Sequence, residues 1–237
     1  MSPSELSIVN YQLSISMSVY QLDEELWFPD PHLGEKDGLV AVGGSLSVER
    51  LLLAYSNGFF PWYSYKHQKE PLWYCPLDRF VIFPNEIHIS HSMRQLIRQQ
   101  KYKVTVNQDF EGVIRGCASA QGRNEEGGAW LGPDIIDAYT LLHELGFAAS
   151  VEVWEEKRLV GGLYGVTFSN VFFGESMFSL APNASKLALI YLANYMRQNG
   201  GVFIDAQFET PHLRSMGGRH ITYEQYMKLM GEFSDTK

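Results

Sequence analysis

The period of the apolar positions changes along the chain, and each change marks an element. Residues 1–18 show no sustained period and carry serines without Lys or Arg, so they read as a loose N-terminal extension. Patterned sequence begins just after Met17, a candidate alternative start. Trp27 to Asp37 is rich in Pro, Asp and Gly and reads as loop. Leu39-Val40-Ala41-Val42 then forms a short apolar run ending in Gly43-Gly44, a strand and turn. Ser47 is placed to cap a helix carrying Leu51, Leu52, Ala54 and Tyr55 on one face, and Gly58 stops it. Phe59-Phe60-Pro61-Trp62 leaves that helix. Leu72–Cys75 and Phe80–Phe83 read as strands, each closed by proline. These pieces make a small α/β unit, residues 19–84.

A second unit, residues 85–237, has a definite order. A helix near Ser92–Gln100 precedes a strand at Tyr102–Val106, and Asp109–Ala118 and Pro133–Gly146 return to a helical period. Ser150–Trp154 and Leu159–Phe168 form a hairpin, and Val171–Glu175 adds a third strand. A long helix spans Ala184–Gln198, and a strand follows at Val202–Phe208. Short helices near Pro211–Met216 and Thr222–Met230 finish the chain. An antiparallel meander followed by a strand–helix–strand crossover is an α+β architecture. It is the order of the acyl-CoA N-acetyltransferase (GNAT) fold. Order alone does not decide activity.

Composition changes this picture little. Apolar residues are 45% and charged residues 19%, as in globular domains. The net charge of −8 argues against a general nucleic-acid coat protein, without excluding a local basic patch. Cys75 and Cys117 stand alone, so zinc ribbons and thioredoxin motifs are excluded and a reducing cytoplasm is expected. No apolar run has membrane-spanning length, and no signal peptide is visible.

Several chemistries drop out. His143-Glu144 lacks the second zincin histidine, since Phe147 stands there. Gly174-Glu175-Ser176-Met177-Phe178 lacks the last glycine of a nucleophile elbow. His88 and His91 have no third metal ligand in view, so no metal is expected. Ser179 to Lys186, ahead of the long helix, contains no glycine to wrap a pyrophosphate, which opposes CoA. The helix start still offers free N–H groups, with Lys186 in its first turn. A plain capped helix with a surface lysine explains these residues equally well.

Three features remain. By strand alternation Asp205 and Gln207 share one face, where they can position an amine and polarise an ester carbonyl. A wet edge strand is the competing explanation. Glu175 can receive a cationic amine, or it is a hydrogen-bonded carboxylate in a turn. Residues 88–107 carry Arg94, Arg98, Lys101 and Lys103 and no acid, either a phosphate grip or a solvated helix face.

Taken together, these pieces resemble the leucyl/phenylalanyl-tRNA–protein transferase family. The resemblance rests on ordered stretches: Gly38 to Gly44, Gly58-Phe59-Phe60-Pro61-Trp62, Leu72-Trp73-Tyr74-Cys75-Pro76 and Leu142-His143-Glu144-Leu145-Gly146. It continues through Val151-Glu152-Val153-Trp154, Leu159 to Gly165, Phe173 to Ser179, Asn183-Ala184-Ser185-Lys186 and Ile204-Asp205-Ala206-Gln207. The resemblance implies transfer of Leu or Phe, with Met a third candidate, from aminoacyl-tRNA to proteins beginning with Arg or Lys. It implies a GNAT-like catalytic part, no CoA or other cofactor, an N-degron role and a monomer. It places Tyr55, Trp62, Trp130, Tyr139, Phe172, Glu175 and Ser179 around the aminoacyl and adenosine pocket. Asp205 and Gln207 match the family's catalytic pair. Leu163 and Leu192 stand where its best-known member has Met and Phe, so a slot of altered shape is expected. The loop Gln121–Ala129 is longer and more acidic than usual in the family. A CoA-dependent N-acetyltransferase, a tRNA-dependent enzyme acting on cell-wall peptides and a non-catalytic tRNA-binding module are the other readings.

Overall fold

The structure is a computed structural model that describes residues 19–62, 70–121 and 131–231. It contains two sheets. The smaller has four strands in the order β1 (Tyr20–Leu22), β2 (Leu39–Gly43), β4 (Leu72–Tyr74), β3 (Phe60–Trp62). β1 runs parallel to β2 and the other pairs are antiparallel. Pro61 lies in β3, an edge strand, where a missing N–H is tolerated. The sequence pattern alone shows that segment only as the exit from the helix.

That helix, α1 (Val48–Ser56), begins where the Ser47 side chain accepts the Arg50 N–H at 3.3 Å. It ends where the Phe59 N–H returns to the Ala54 carbonyl at 2.8 Å, which requires the left-handed turn of Gly58 at φ +78°.

The larger sheet has seven strands in the order β11-β5-β10-β9-β8-β7-β6. β6 (Lys103–Val106), β7 (Ala148–Glu155), β8 (Arg158–Phe168) and β9 (Val171–Ser179) form the expected antiparallel meander. α5 (Ala184–Gln198) carries the crossover from β9 to the parallel strand β10 (Phe203–Gln207). β5 (Asp78–Ile82) pairs antiparallel with β10, and β11 (Arg219–Thr222) closes the far edge. This is the arrangement of the GNAT-like α+β class. β5 belongs to this larger sheet although it precedes residue 84.

Alternation sends successive side chains to opposite cores. Phe173 and Phe203 join a core built with α1, α3 (Phe110–Gln121), α4 (Pro133–Glu144) and α7 (Tyr223–Gly231). Phe172 and Ile204 face the other core, made with α5 and with Met93 of α2 (His91–Gln99). The first core runs without a break into the smaller sheet through Tyr55, Phe59 and Trp73. The remaining helix, α6 (Pro211–Ser215), is short. β1 and β11 escape the sequence reading because each is a short edge strand.

Candidate active site

The site lies where two neighbouring parallel strands part. β10 pairs with β9 only at Phe203, Ile204 and Asp205, opposite Val171, Phe172 and Phe173. Beyond that point both strands carry an irregularity. On β9 the register with β8 shifts around Glu175, with Tyr164 opposite Ser176 and Gly165 opposite Gly174. On β10 the register with β5 shifts between Asp205 and Gln207, and Gln207 adopts φ +60°. Bulges of this kind re-aim side chains. Here they turn Glu175 and Gln207 toward each other, and Gln207 Nε2 donates to Glu175 Oε1 at 3.1 Å.

Glu175 is nearly enclosed. Tyr55 OH donates to its Oε1 at 2.8 Å, and Tyr139 OH donates to its Oε2 at 3.1 Å. The two tyrosine hydroxyl oxygens also lie against one another. Burial pushes the Glu175 carboxyl up to about 7, although the two tyrosine hydrogen bonds and Arg79 pull it down. Burial and the nearby carboxylate hold both hydroxyls well above the usual tyrosine range, so they remain donors.

Behind Gln207 lies a wholly buried ion pair. Arg79 Nε lies 3.0 Å from each oxygen of Asp205, and Arg79 Nη2 donates to Oδ2 at 2.8 Å. Tyr226 OH donates to Oδ2 at 2.9 Å, and the Gln207 backbone N–H donates to Oδ1 at 2.9 Å. Arg79 Nη2 also donates to the Gly58 carbonyl at 2.8 Å, and its guanidinium lies over the rings of Phe60 and Tyr226. Every oxygen of Asp205 is thus engaged, as a buried carboxylate requires.

This corrects two expectations. β10 is an interior strand, so the wet-edge explanation of Asp205 and Gln207 fails. Simple alternation fails as well, because the bulge separates them: Asp205 faces Arg79 and Tyr226, while the Gln207 side chain reaches Glu175.

Two cavities meet at Glu175, Ala206, Gln207 and Leu213. One, about 250 Å³, is an apolar slot walled by Leu163, Phe172, Leu189, Leu192 and Ile204. The other, about 150 Å³, is an aromatic shelf of Phe60, Trp62 and Phe208. Trp62 is 42% exposed there, with its ring centroid 5.3 Å from that of Phe208.

The remaining expected residues fall as follows. Tyr55 and Tyr139 reach the cavities only through Glu175. Ser179 lines neither cavity: its hydroxyl donates to the Ala181 carbonyl and accepts the Ser185 N–H at the start of α5. Lys186, in the first turn of α5, helps burial hold the neighbouring His212 imidazole below its usual range. Arg94, Arg98 and Lys103 are exposed along α2 and β6. Lys101 is also exposed but pairs with Glu155 at 3.1 Å, so the basic patch is less bare than the sequence implies. Trp130 and residues 122–129 lie outside the described residues.

The sequence reading missed Arg79, Tyr226, Phe60 and Phe208. Arg79 left a signal: Asp78-Arg79-Phe80-Val81-Ile82 sets a cation inside an apolar strand, as Asp205 sets an acid inside another. Two lone opposite charges in two buried strands are natural partners.

An α+β sheet of GNAT-like order, whose central parallel pair parts over an apolar slot with a polar end, sets the class of fold and site. Residues 81–231 match the leucyl/phenylalanyl-tRNA protein transferase family, and residues 44–77 match its N-terminal domain. The chain belongs to that family and is a transferase. It is 48% identical to the leucyl/phenylalanyl-tRNA–protein transferase of Syntrophobacter fumaroxidans over 217 residues, 91% of each chain. It is 46% identical to that of Flavobacterium psychrophilum over 210 residues, 88% of this chain and 98% of the relative. Among solved structures, L-PGS from Bacillus licheniformis is 14% identical over 74% of this chain and 57% of its own, with a TM-score of 0.40. No helix among the described residues is long and apolar enough to cross a membrane.

Proposed function

We propose that this protein transfers leucine or phenylalanine, with methionine a poorer donor, from aminoacyl-tRNA to the α-amine of proteins beginning with Arg or Lys. In this reading the product is marked for degradation by the N-degron route. The observation that carries it is the Glu175–Gln207 contact, set between an apolar slot and an aromatic shelf. The slot takes the donor side chain, and the shelf stacks the terminal adenosine of the tRNA, with Trp62 as its exposed ring.

The chemistry is ester aminolysis. The acceptor α-amine attacks the ester carbonyl carbon, a C–N bond forms, and the C–O bond to the terminal ribose breaks. The amine's surplus proton leaves on the ribose oxygen. An α-ammonium ionises near ~8 and must first lose a proton. Glu175, near 7, is well matched to receive that cation and proton. Gln207, with Nε2 committed to Glu175, presents Oε1 to an N–H of the amine. Asp205 touches no substrate in this scheme. It is a positioning residue that fixes the Gln207 backbone. The ester is already activated, so the site's task is orientation and charge stabilisation.

Arg94, Arg98, Lys103 and Lys186 grip tRNA phosphates, with Lys101 as a partner shared with Glu155. We assign a monomer, and an aminoacyl-tRNA donor puts the reaction in the cytoplasm. The division into an N-terminal unit and a catalytic unit is part of the same proposal. The test uses purified protein, a peptide beginning with Arg, and labelled Leu-tRNA or Phe-tRNA without CoA or ATP. Label on the peptide N-terminus is expected. Acetylation from acetyl-CoA in place of aminoacyl transfer would overturn the reading.

A further inference from the structure

Three buried tyrosines stand around the Glu175 carboxyl, and the proposed aminolysis calls on none of them. Tyr55 comes from α1, Tyr139 from α4 and Tyr164 from β8, and each is 0% exposed. Tyr55 OH donates to Oε1 at 2.8 Å, and Tyr139 OH donates to Oε2 at 3.1 Å. The Tyr164 hydroxyl, equally buried, has no hydrogen-bond partner among the described residues. None of the three rings lines either cavity of the site, so the two donors act on Glu175 from behind, away from the substrate side. Tyr55 packs edge-on against Phe173, and Tyr139 against Tyr164, which fixes where their hydroxyls point.

A buried carboxylate stays ionised only if its surroundings compensate the charge. The groups that face Glu175 can be named element by element. β10 brings Asp205, whose charge opposes ionisation, and Gln207, whose Nε2 donates to Oε1 at 3.1 Å. β5 brings Arg79, whose charge favours ionisation, but that guanidinium is committed to Asp205 and to the Gly58 carbonyl. From α5 and α6 the slot receives only Leu189, Leu192 and Leu213. The two tyrosine hydroxyls are therefore the donors that hold the charge independently of the groups at work on the substrate. Hydrogen bonds to the charged form of an acid favour that form. Both phenols sit well above the usual tyrosine range, so they remain donors across the neutral range.

We infer that Tyr55 and Tyr139 are positioning residues that hold Glu175 as a carboxylate for the incoming amine. Tyr55 stands within the stretch that matches the family's N-terminal domain, so that unit contributes to the acid–base machinery as well as to the aromatic shelf. Without the two donors burial prevails, and Glu175 keeps its proton at neutral pH. The inference rests on the reading of Glu175 as the group that receives the amine's proton.

The experiment removes one hydroxyl at a time and keeps each ring, with Tyr55→Phe and Tyr139→Phe as the tests and Tyr164→Phe as the control. kcat for transfer of labelled Phe from Phe-tRNA to an Arg-starting peptide is measured from pH 6 to pH 8.5, with melting temperature as the folding check. In Tyr55→Phe and in Tyr139→Phe the pH of half-maximal kcat is expected to rise by roughly one unit. kcat then falls about fivefold at pH 7 and approaches wild type by pH 8.5. Tyr164→Phe is expected to leave the profile in place. Carbon-13 NMR of the glutamate carboxyls, with Glu175 assigned by its loss in Glu175→Gln, reads the same displacement without turnover. A kcat lowered equally at every pH, or an unmoved Glu175 titration in a variant that melts like wild type, overturns the inference. If one variant does not fold, the other decides; if neither folds, both hydroxyls are structural and the inference falls. Wild-type protein that transfers neither Leu nor Phe overturns the proposed function, whereas wild-type transfer with unmoved titrations overturns this inference alone.

Discussion

Arg79 on β5 and Asp205 on β10 form a multiply hydrogen-bonded ion pair that is 1% and 0% exposed, two residues before Gln207. Removing one partner of such a pair strands a charge in a low dielectric. Arg79→Met should therefore cost ~3–5 kcal/mol of unfolding free energy. Adding Asp205→Asn should restore much of that loss, since the stranded charge is then gone. Urea denaturation of the two single variants and the double variant tests this. A loss below ~1 kcal/mol for Arg79→Met, the scale of an exposed pair, would show that the pair is not buried in solution.

Glu175 should make stability and rate move in opposite directions with pH. Its carboxyl rises from 4.5 to about 7 on folding, chiefly through burial. The folded state thus favours the neutral form. The stabilisation this gives is complete below pH 4.5 and is lost as pH climbs through 7, a swing on the order of 3 kcal/mol. Glu175→Gln should lack the swing, so its stability relative to wild type should increase from pH 5 to pH 8. Wild-type turnover should rise across pH 7 as the carboxylate forms. Parallel stability curves for the two proteins would refute the assignment.

Gln207 should matter to turnover and little to donor affinity. Gln207→Ala removes the side chain proposed to face the reacting amine and should lower kcat by ~10²-fold or more. Asp205→Ala should act in the same direction through the freed backbone of Gln207. The Kd for deacylated tRNA should stay within about twofold for Gln207→Ala, because none of the proposed phosphate-binding side chains is touched. Equal losses of kcat and tRNA affinity would recast Gln207 as a binding residue.

Trp62 is the exposed ring of the aromatic shelf. Trp62→Ala should weaken donor tRNA binding by ~1–3 kcal/mol, the usual worth of one base stacked on an aromatic side chain. The same loss should appear with a minimal aminoacyl-adenosine donor, which carries no tRNA body. A loss seen only with full-length tRNA would move Trp62 away from the terminal nucleoside.

Arg94 and Arg98 are four residues apart on the exposed side of α2. Reversing both to Glu should weaken tRNA binding. It should also reduce the slope of log K against log salt by ~0.7–0.9 for each phosphate that is no longer neutralised. Titration of labelled tRNA at several salt concentrations measures that slope directly. An unchanged slope would leave α2 a solvated helix face.

Much of this is legible in the residues alone. The meander and crossover can be read because long strands and helices carry clean periods, as Leu159–Phe168 and Ala184–Gln198 do. Ordered motifs point to the family, and the resemblance sets Leu163, Leu192, Phe172 and Glu175 among the pocket residues and Asp205 and Gln207 as a pair. What the chain cannot state are relationships that depend on a third dimension. Arg79 and Asp205 are 126 positions apart, and no local pattern couples them. Ser179 matches a pocket position by motif, yet its hydroxyl serves the start of α5. The bulge that aims Gln207 at Glu175 arises where β10 pairs with β5, strands distant in sequence, and even the bulge within the β8–β9 hairpin leaves no mark in the local period. Local periodicity is set by a residue's neighbours in the chain, so the sequence determined the elements and the chemistry available to them. Burial, charge pairing and strand register are set by neighbours in space, and only the tertiary structure decided those.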